Sequence, residues 1–102
     1  MHPQLLQHRA DIGALCRQSH VRRLDVFGSA ARGEDFDPQH SDVDFLVEFE
    51  ACLTPTLDLF FGLRDQLAGL VGRPVDLVMA GTIRNPFLRA DIERSRETVY
   101  AA

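Results

Sequence analysis

No lysine occurs in this chain, so its 11 basic side chains are all arginine, set against 15 acidic ones for a net charge of −4. The arginines are scattered over every segment and build no basic run. A polyanion partner needs many phosphate contacts gathered on one face, so nucleic acid is not an expected partner. Cysteine is scarce: Cys16 and Cys52 lie in apolar surroundings without Cys-x-x-Cys spacing, which fits a reducing cytoplasm. Long apolar runs are missing as well. The longest, a broken stretch around Leu57 to Leu63, falls far short of the roughly 20 residues that cross a bilayer. No signal-like run follows Met1-His2-Pro3-Gln4. A membrane is therefore not expected, and neither internal repeats nor low-complexity linkers divide the chain.

What is present is ordinary for a soluble globular protein: 45% hydrophobic and 25% charged residues. A chain of 102 residues has the size of one domain, read as 1–102, with chemistry on the rim of one core and no room for a second recognition domain.

Leu5, Ile12, Leu15 and Cys16 recur at helical spacing and predict an amphipathic helix from Pro3 to Ser19. Val21 to Phe27 is rich in β-formers and ends at Gly28, which predicts a strand entering a sharp turn, with a short helix from Ser29. Gly33 to Ser41 reads as loop, and Val43 to Phe49 as a second strand with Val43, Phe45 and Val47 on one side. Thr54-Pro55 looks like the cap and first position of a main core helix carrying Phe60, Leu63, Leu67 and Leu70 and ending at Gly72. Val75 to Met79 is a third strand. Asn85-Pro86 caps a closing helix, read through Tyr100, with Leu88, Ile92 and Val99 facing inward. With seven phenylalanines in so small a domain, that closing helix is also a candidate apolar surface for a partner or for self-association.

Three groups of residues carry the chemistry. Gly28-Ser29 stands where a strand gives way to a helix, a turn that aims unpaired N–H groups and the positive end of a helix dipole outward. Such a turn seats a phosphate, although a serine cap after a glycine turn serves an ordinary helix start equally well. Asp42 and Asp44 in Ser41-Asp42-Val43-Asp44 are two residues apart at a strand entrance, so their carboxylates project from one face. Side by side they repel unless a cation lies between them, and hard oxygen ligands suit Mg²⁺, which takes substrate phosphates and waters as its remaining ligands. An exposed acidic strand entrance is the plain alternative. Asp76 is the one charge in an apolar strand, where it needs either an arginine such as Arg32 or Arg73 or a metal ion. Three such acids meet the needs of a two-metal site. A calcium loop starting at Asp35 fails because its sixth position is His40 rather than glycine, and His40, His2, His8 and His20 lack zinc-site spacing.

The run Gly28-Ser29-Ala30-Ala31-Arg32-Gly33, then Ser41-Asp42-Val43-Asp44 and Val75-Asp76-Leu77-Val78, resembles the polymerase-β-type nucleotidyltransferase superfamily over nearly the whole chain. The Phe27-Gly28-Ser29 spelling and short length are similar to the minimal nucleotidyltransferases of prokaryotes, which pair with HEPN-domain toxins. The resemblance implies an α+β fold, a mixed sheet of about three strands with helices on one side. It implies two Mg²⁺ ions, ATP as substrate and transfer of AMP. Asp42 and Asp44 would bridge the metals, and Asp76 would help one metal lower the pKa of an acceptor hydroxyl. Gly28, Ser29, Arg32 and Ser41 would form the nucleotide-binding set. The implied acceptor is a tyrosine of a HEPN toxin, which makes the chain an antitoxin; neutralisation by binding alone and adenylylation of a small molecule are the other readings.

Overall fold

The computed structural model describes residues 3–28, 42–51 and 54–102. The first helix comes as two segments, α1 (Pro3–Gln7) and α2 (Arg9–Gln18). They part at His8, whose N–H reaches back only three residues to the Leu5 carbonyl and whose side chain makes no capping bond to α2. The apolar stripe survives the break: Leu5, Ile12, Leu15 and Cys16 are all buried.

Strands β1 (Val21–Phe27), β2 (Val43–Phe49) and β3 (Val75–Met79) start and stop where alternation and the flanking glycines and prolines place them. Between β2 and β3 runs α3 (Leu57–Val71). Its cap is Thr56 rather than Thr54, because it is the Thr56 hydroxyl that accepts the N–H three residues on, from Leu59 at 3.2 Å. Gly72 closes α3 in the left-handed region at φ 71° and donates its N–H to the Ala68 carbonyl.

The closing helix α4 (Pro86–Ser95) begins as expected, with the Asn85 side chain accepting from Phe87 and Leu88 N–H. It does not continue to Tyr100. The chain turns extended at Arg96, and Glu97–Ala101 forms a fourth strand, β4. Val99 lies seven residues past Ile92, which mimics a helical stripe, but Thr98-Val99-Tyr100 is a β-forming run and β1 has a free edge to receive it.

The sheet is mixed, in the order β3-β2-β1-β4, with β1 antiparallel to both β2 and β4 and β2 parallel to β3. The count of about three strands thus becomes four. On one face Leu24, Val26, Phe45 and Val47 form a core with Ile12 and Cys16 of α2 and Leu63, Leu67 and Val71 of α3. Each such aliphatic side chain contributes about 1.5–3 kcal/mol on burial. Alternate residues point the other way, and there Phe27 and Leu46 close over Ile92 of α4. Helices α1 to α3 thus share one side and α4 covers part of the second, the face from which the site emerges.

Candidate active site

The site is assembled by strand register. Phe27, the last residue of β1, stands opposite Asp44 of β2, and Asp44 stands opposite Asp76 of β3. Paired residues of adjacent strands project from the same face, so Asp44 and Asp76 emerge together beside the end of β1, on the side that carries α4. Asp42 precedes β2 by one residue and shares the parity of Asp44. Two strand entrances lying side by side in parallel thus bring Asp44 and Asp76 together, with Asp42 two residues before Asp44.

Gly28 is buried and adopts φ +74°, a left-handed conformation that an L side chain rarely takes. A Cβ there would lie 2.8 Å from Asp44 Oδ2. The missing side chain is therefore what lets the Asp44 carboxylate rest against the turn. The Gly28 N–H does not face outward as the sequence suggests: it donates inward to Ser95 Oγ at 2.9 Å. Ser29, Arg32 and Ser41 lie outside the described residues, as do His40 and the short helix expected from Ser29.

Electrostatics single out Asp44. It is half-buried, and its carboxyl is pushed up from the ordinary 3.8 to about 6, first by burial and then by the negative charges of Asp76, Asp42 and Asp91. A half-buried carboxylate with three acidic neighbours makes a strong local demand for a cation. Among the described residues no three carboxylate, imidazole or thiol side chains are gathered closely enough to hold a metal ion by themselves.

Two assignments shift. Asp76 is exposed on the edge strand β3 and is not a buried charge in need of a partner. The buried carboxylate is Asp25, 1% exposed on β1, bonded by Arg23 Nε at 3.0 Å and by Arg96 Nε at 2.8 Å. Sequence reasoning also passed over Asp91, in the middle of α4, and Ser95, at its end. Asp91 adds to the field on Asp44, and Ser95 holds the Gly28 N–H. Nothing local marks either residue, since their roles follow from where α4 lands on the sheet.

Two grooves lie away from these acids. One, of about 430 Å³, runs between α2 and α3 over Ala14, Leu15, Gly69 and Leu70. The other, of about 380 Å³, lies beside α4 over Leu46, Ile83 and Ile92, rimmed by Arg89 and Arg96. Neither holds a carboxylate of the cluster. Among the described residues no helix is long and apolar enough to cross a membrane.

Comparison with known proteins agrees with this geometry. The profile of the nucleotidyltransferase domain family matches residues 12–99. A candidate protein adenylyltransferase of Methanocaldococcus jannaschii is 45% identical over 73 residues, 72% of this chain and 70% of the relative. The protein adenylyltransferase MntA of Thermococcus cleftensis is 41% identical over 80 residues, 78% of this chain and 74% of its own length. A solved structure of a candidate minimal nucleotidyltransferase superposes with a TM-score of 0.73 at 36% identity, covering 95% of both chains. The fold also matches, with a TM-score of 0.67 at 18% identity over 96% of this chain and 73% of the other, a chain from the Shewanella oneidensis complex of tri-AMPylated HEPN toxin with MNT antitoxin. Matched over most of its length by a family profile, and carrying paired strand-entrance aspartates beside a glycine turn, this chain belongs to the nucleotidyltransferase domain family and is similar over most of its length to minimal, MntA-like members of it.

Proposed function

We propose that this nucleotidyltransferase takes ATP with Mg²⁺ and transfers AMP to a tyrosine hydroxyl of a HEPN-domain toxin, acting as its antitoxin. The observation that carries the reading is the in-register placement of Asp44 and Asp76 beside Gly28, with Asp44 held against a charge it cannot comfortably bear alone. Asp42 and Asp44 would hold Mg²⁺ together with the triphosphate, and Asp76 would complete the set toward the acceptor. When bound, the cation neutralises phosphate charge and favours the ionised acceptor hydroxyl.

The chain's own residues do the rest. Gly28 brings the turn against Asp44, and the backbone beyond it, with Ser29, Arg32 and Ser41, seats the phosphates at the start of the following segment. In the transfer, the acceptor oxygen bonds to the α-phosphorus as the bond from that phosphorus to the bridging oxygen breaks. Pyrophosphate leaves, and the hydroxyl proton passes to the carboxylate at Asp76, which is exposed and so free to take it. The acceptor comes from outside the chain, in keeping with the relatives named for protein adenylylation and with the AMPylated toxin in the Shewanella complex.

The test is to incubate the purified chain with its HEPN partner, ATP and Mg²⁺ and to measure the partner's intact mass. Addition of adenylate, abolished in Asp42→Asn, supports the proposal. A tight complex that stays unmodified supports neutralisation by binding, and activity retained in Asp42→Asn rejects the metal assignment.

A further inference from the structure

We infer that Ser95, at the end of α4, is a positioning residue for nucleotidyl transfer: it fixes the Gly28 turn and, through it, the carboxylate of Asp44.

Ser95 is 8% exposed, and its hydroxyl is fully committed. Its proton goes to the Asp91 carbonyl at 2.7 Å, one turn back in α4. With the proton placed there, the oxygen presents lone pairs to the core, and the Gly28 N–H donates to it at 2.9 Å. This bond spans 67 residues of sequence and ties α4 to the tip of β1. An i−4 bond alone would be a common way for a serine to sit in a helix. The second bond, to a glycine held at φ +74°, is what a helix end by itself has no need of.

The consequence lies one contact further on. Because a Cβ at Gly28 would come within 2.8 Å of Asp44 Oδ2, the position of that carboxylate depends on where the Gly28 Cα is held. Ser95 thus sets the Gly28 turn and, through it, the Asp44 carboxylate, from a position one element away at the end of α4. Groups that orient a metal ligand typically carry 10–100-fold in affinity or activity; Ser95 acts on Asp44 through Gly28, and a displacement of about 1 Å at a reacting centre costs up to about a hundredfold.

Ser95→Ala removes the acceptor, and Ser95→Thr restores a hydroxyl. The reading rests on the proposed Mg²⁺–ATP chemistry, so binding and transfer are measured separately. ATP affinity in Mg²⁺ is read by calorimetry and turnover by adenylate on the partner, at a temperature where circular dichroism shows the variant folded. A loss of about tenfold or more in either quantity for Ser95→Ala, recovered in Ser95→Thr, is the expected result. Both quantities within about twofold of the unmodified chain, with only a lower Tm, would overturn the role and leave Ser95 as a helix-end residue. If Ser95→Ala does not fold, Ser95→Cys, close in size but a poor acceptor, decides on the same two thresholds. An unmodified chain that binds ATP and Mg²⁺ yet transfers nothing to the partner counts against the proposed acceptor, and the calorimetric comparison alone then decides Ser95.

Discussion

Replacing the central acid of the site is expected to make the metal-free protein more stable. Asp44 has its carboxyl pushed up from 3.8 to about 6 by burial and by Asp76, Asp42 and Asp91. Its folded-state pKa is above the unfolded value, so the stability it contributes is fully present below about pH 4 and is lost as pH rises through about 6. Above that, folding must carry an ionised carboxylate among like charges. At about 1.4 kcal/mol per unit the full shift would amount to about 3 kcal/mol. The group is only half-buried and its charged neighbours are screened by solvent, which brings the expected penalty nearer 1 kcal/mol. Asn is the same size and uncharged, so Asp44→Asn should gain about that much at pH 8 in EDTA, a rise of about 4–8 °C in Tm for a domain of this size. Calorimetric melts at pH 8 and at pH 4.5 check the sign, since the gain should vanish where Asp44 is already protonated. Added Mg²⁺ should raise the Tm of the unmodified chain and leave the variant unmoved. A variant no more stable at pH 8, or a gain of equal size at pH 4.5, would refute the reasoning.

Three further outcomes follow from single residues. Gly28→Ala should destabilise the fold by about 1–2 kcal/mol through its left-handed φ, and the methyl group, meeting Asp44 Oδ2, should also abolish transfer; normal turnover in this variant would remove Gly28 from the site. Asp25→Ala should cost about 2–3 kcal/mol in urea unfolding, because it strips the carboxylate bonded by Arg23 and Arg96; a loss below about 0.5 kcal/mol would show the pair of ion pairs to be idle. Burial pushes the Cys16 thiol up to about 12, so on a Cys52→Ser background the folded protein should resist an aromatic disulfide reagent at pH 8 and react in guanidinium; rapid reaction when folded would contradict the buried thiol.

Much of the fold was legible because its signals are local. The bounds of β1, β2 and β3 follow from alternating apolar residues stopped by Gly28 and by Arg73-Pro74, and Gly72 marks the end of α3. β4 was not legible, because it exists through pairing with β1 across more than 70 residues and its Val99 keeps a helical interval from Ile92. At the site the split is the same. Asp42 and Asp44 declare themselves by spacing, and Asp76 by being the one charge in its strand. Their convergence needed the parallel pairing of β2 with β3, which sets Asp44 against Asp76. Asp25 escaped notice although it too is the one acid in its strand, since only the arrival of Arg96 from the end of α4 shows how a buried charge is tolerated there. Ser95 and the inward-turned Gly28 N–H are likewise products of where α4 packs.

The central claim is that the acids at the entrances of β2 and β3 serve transfer of a nucleotidyl group, and the fate of labelled ATP tests it most directly. With the partner, Mg²⁺ and ATP labelled at the α-phosphate, the label should join the partner protein as an equal amount of pyrophosphate appears, and neither should occur with Asp44→Asn. Label from the γ-phosphate on the partner, or α-label transfer that persists in Asp44→Asn, would contradict the account.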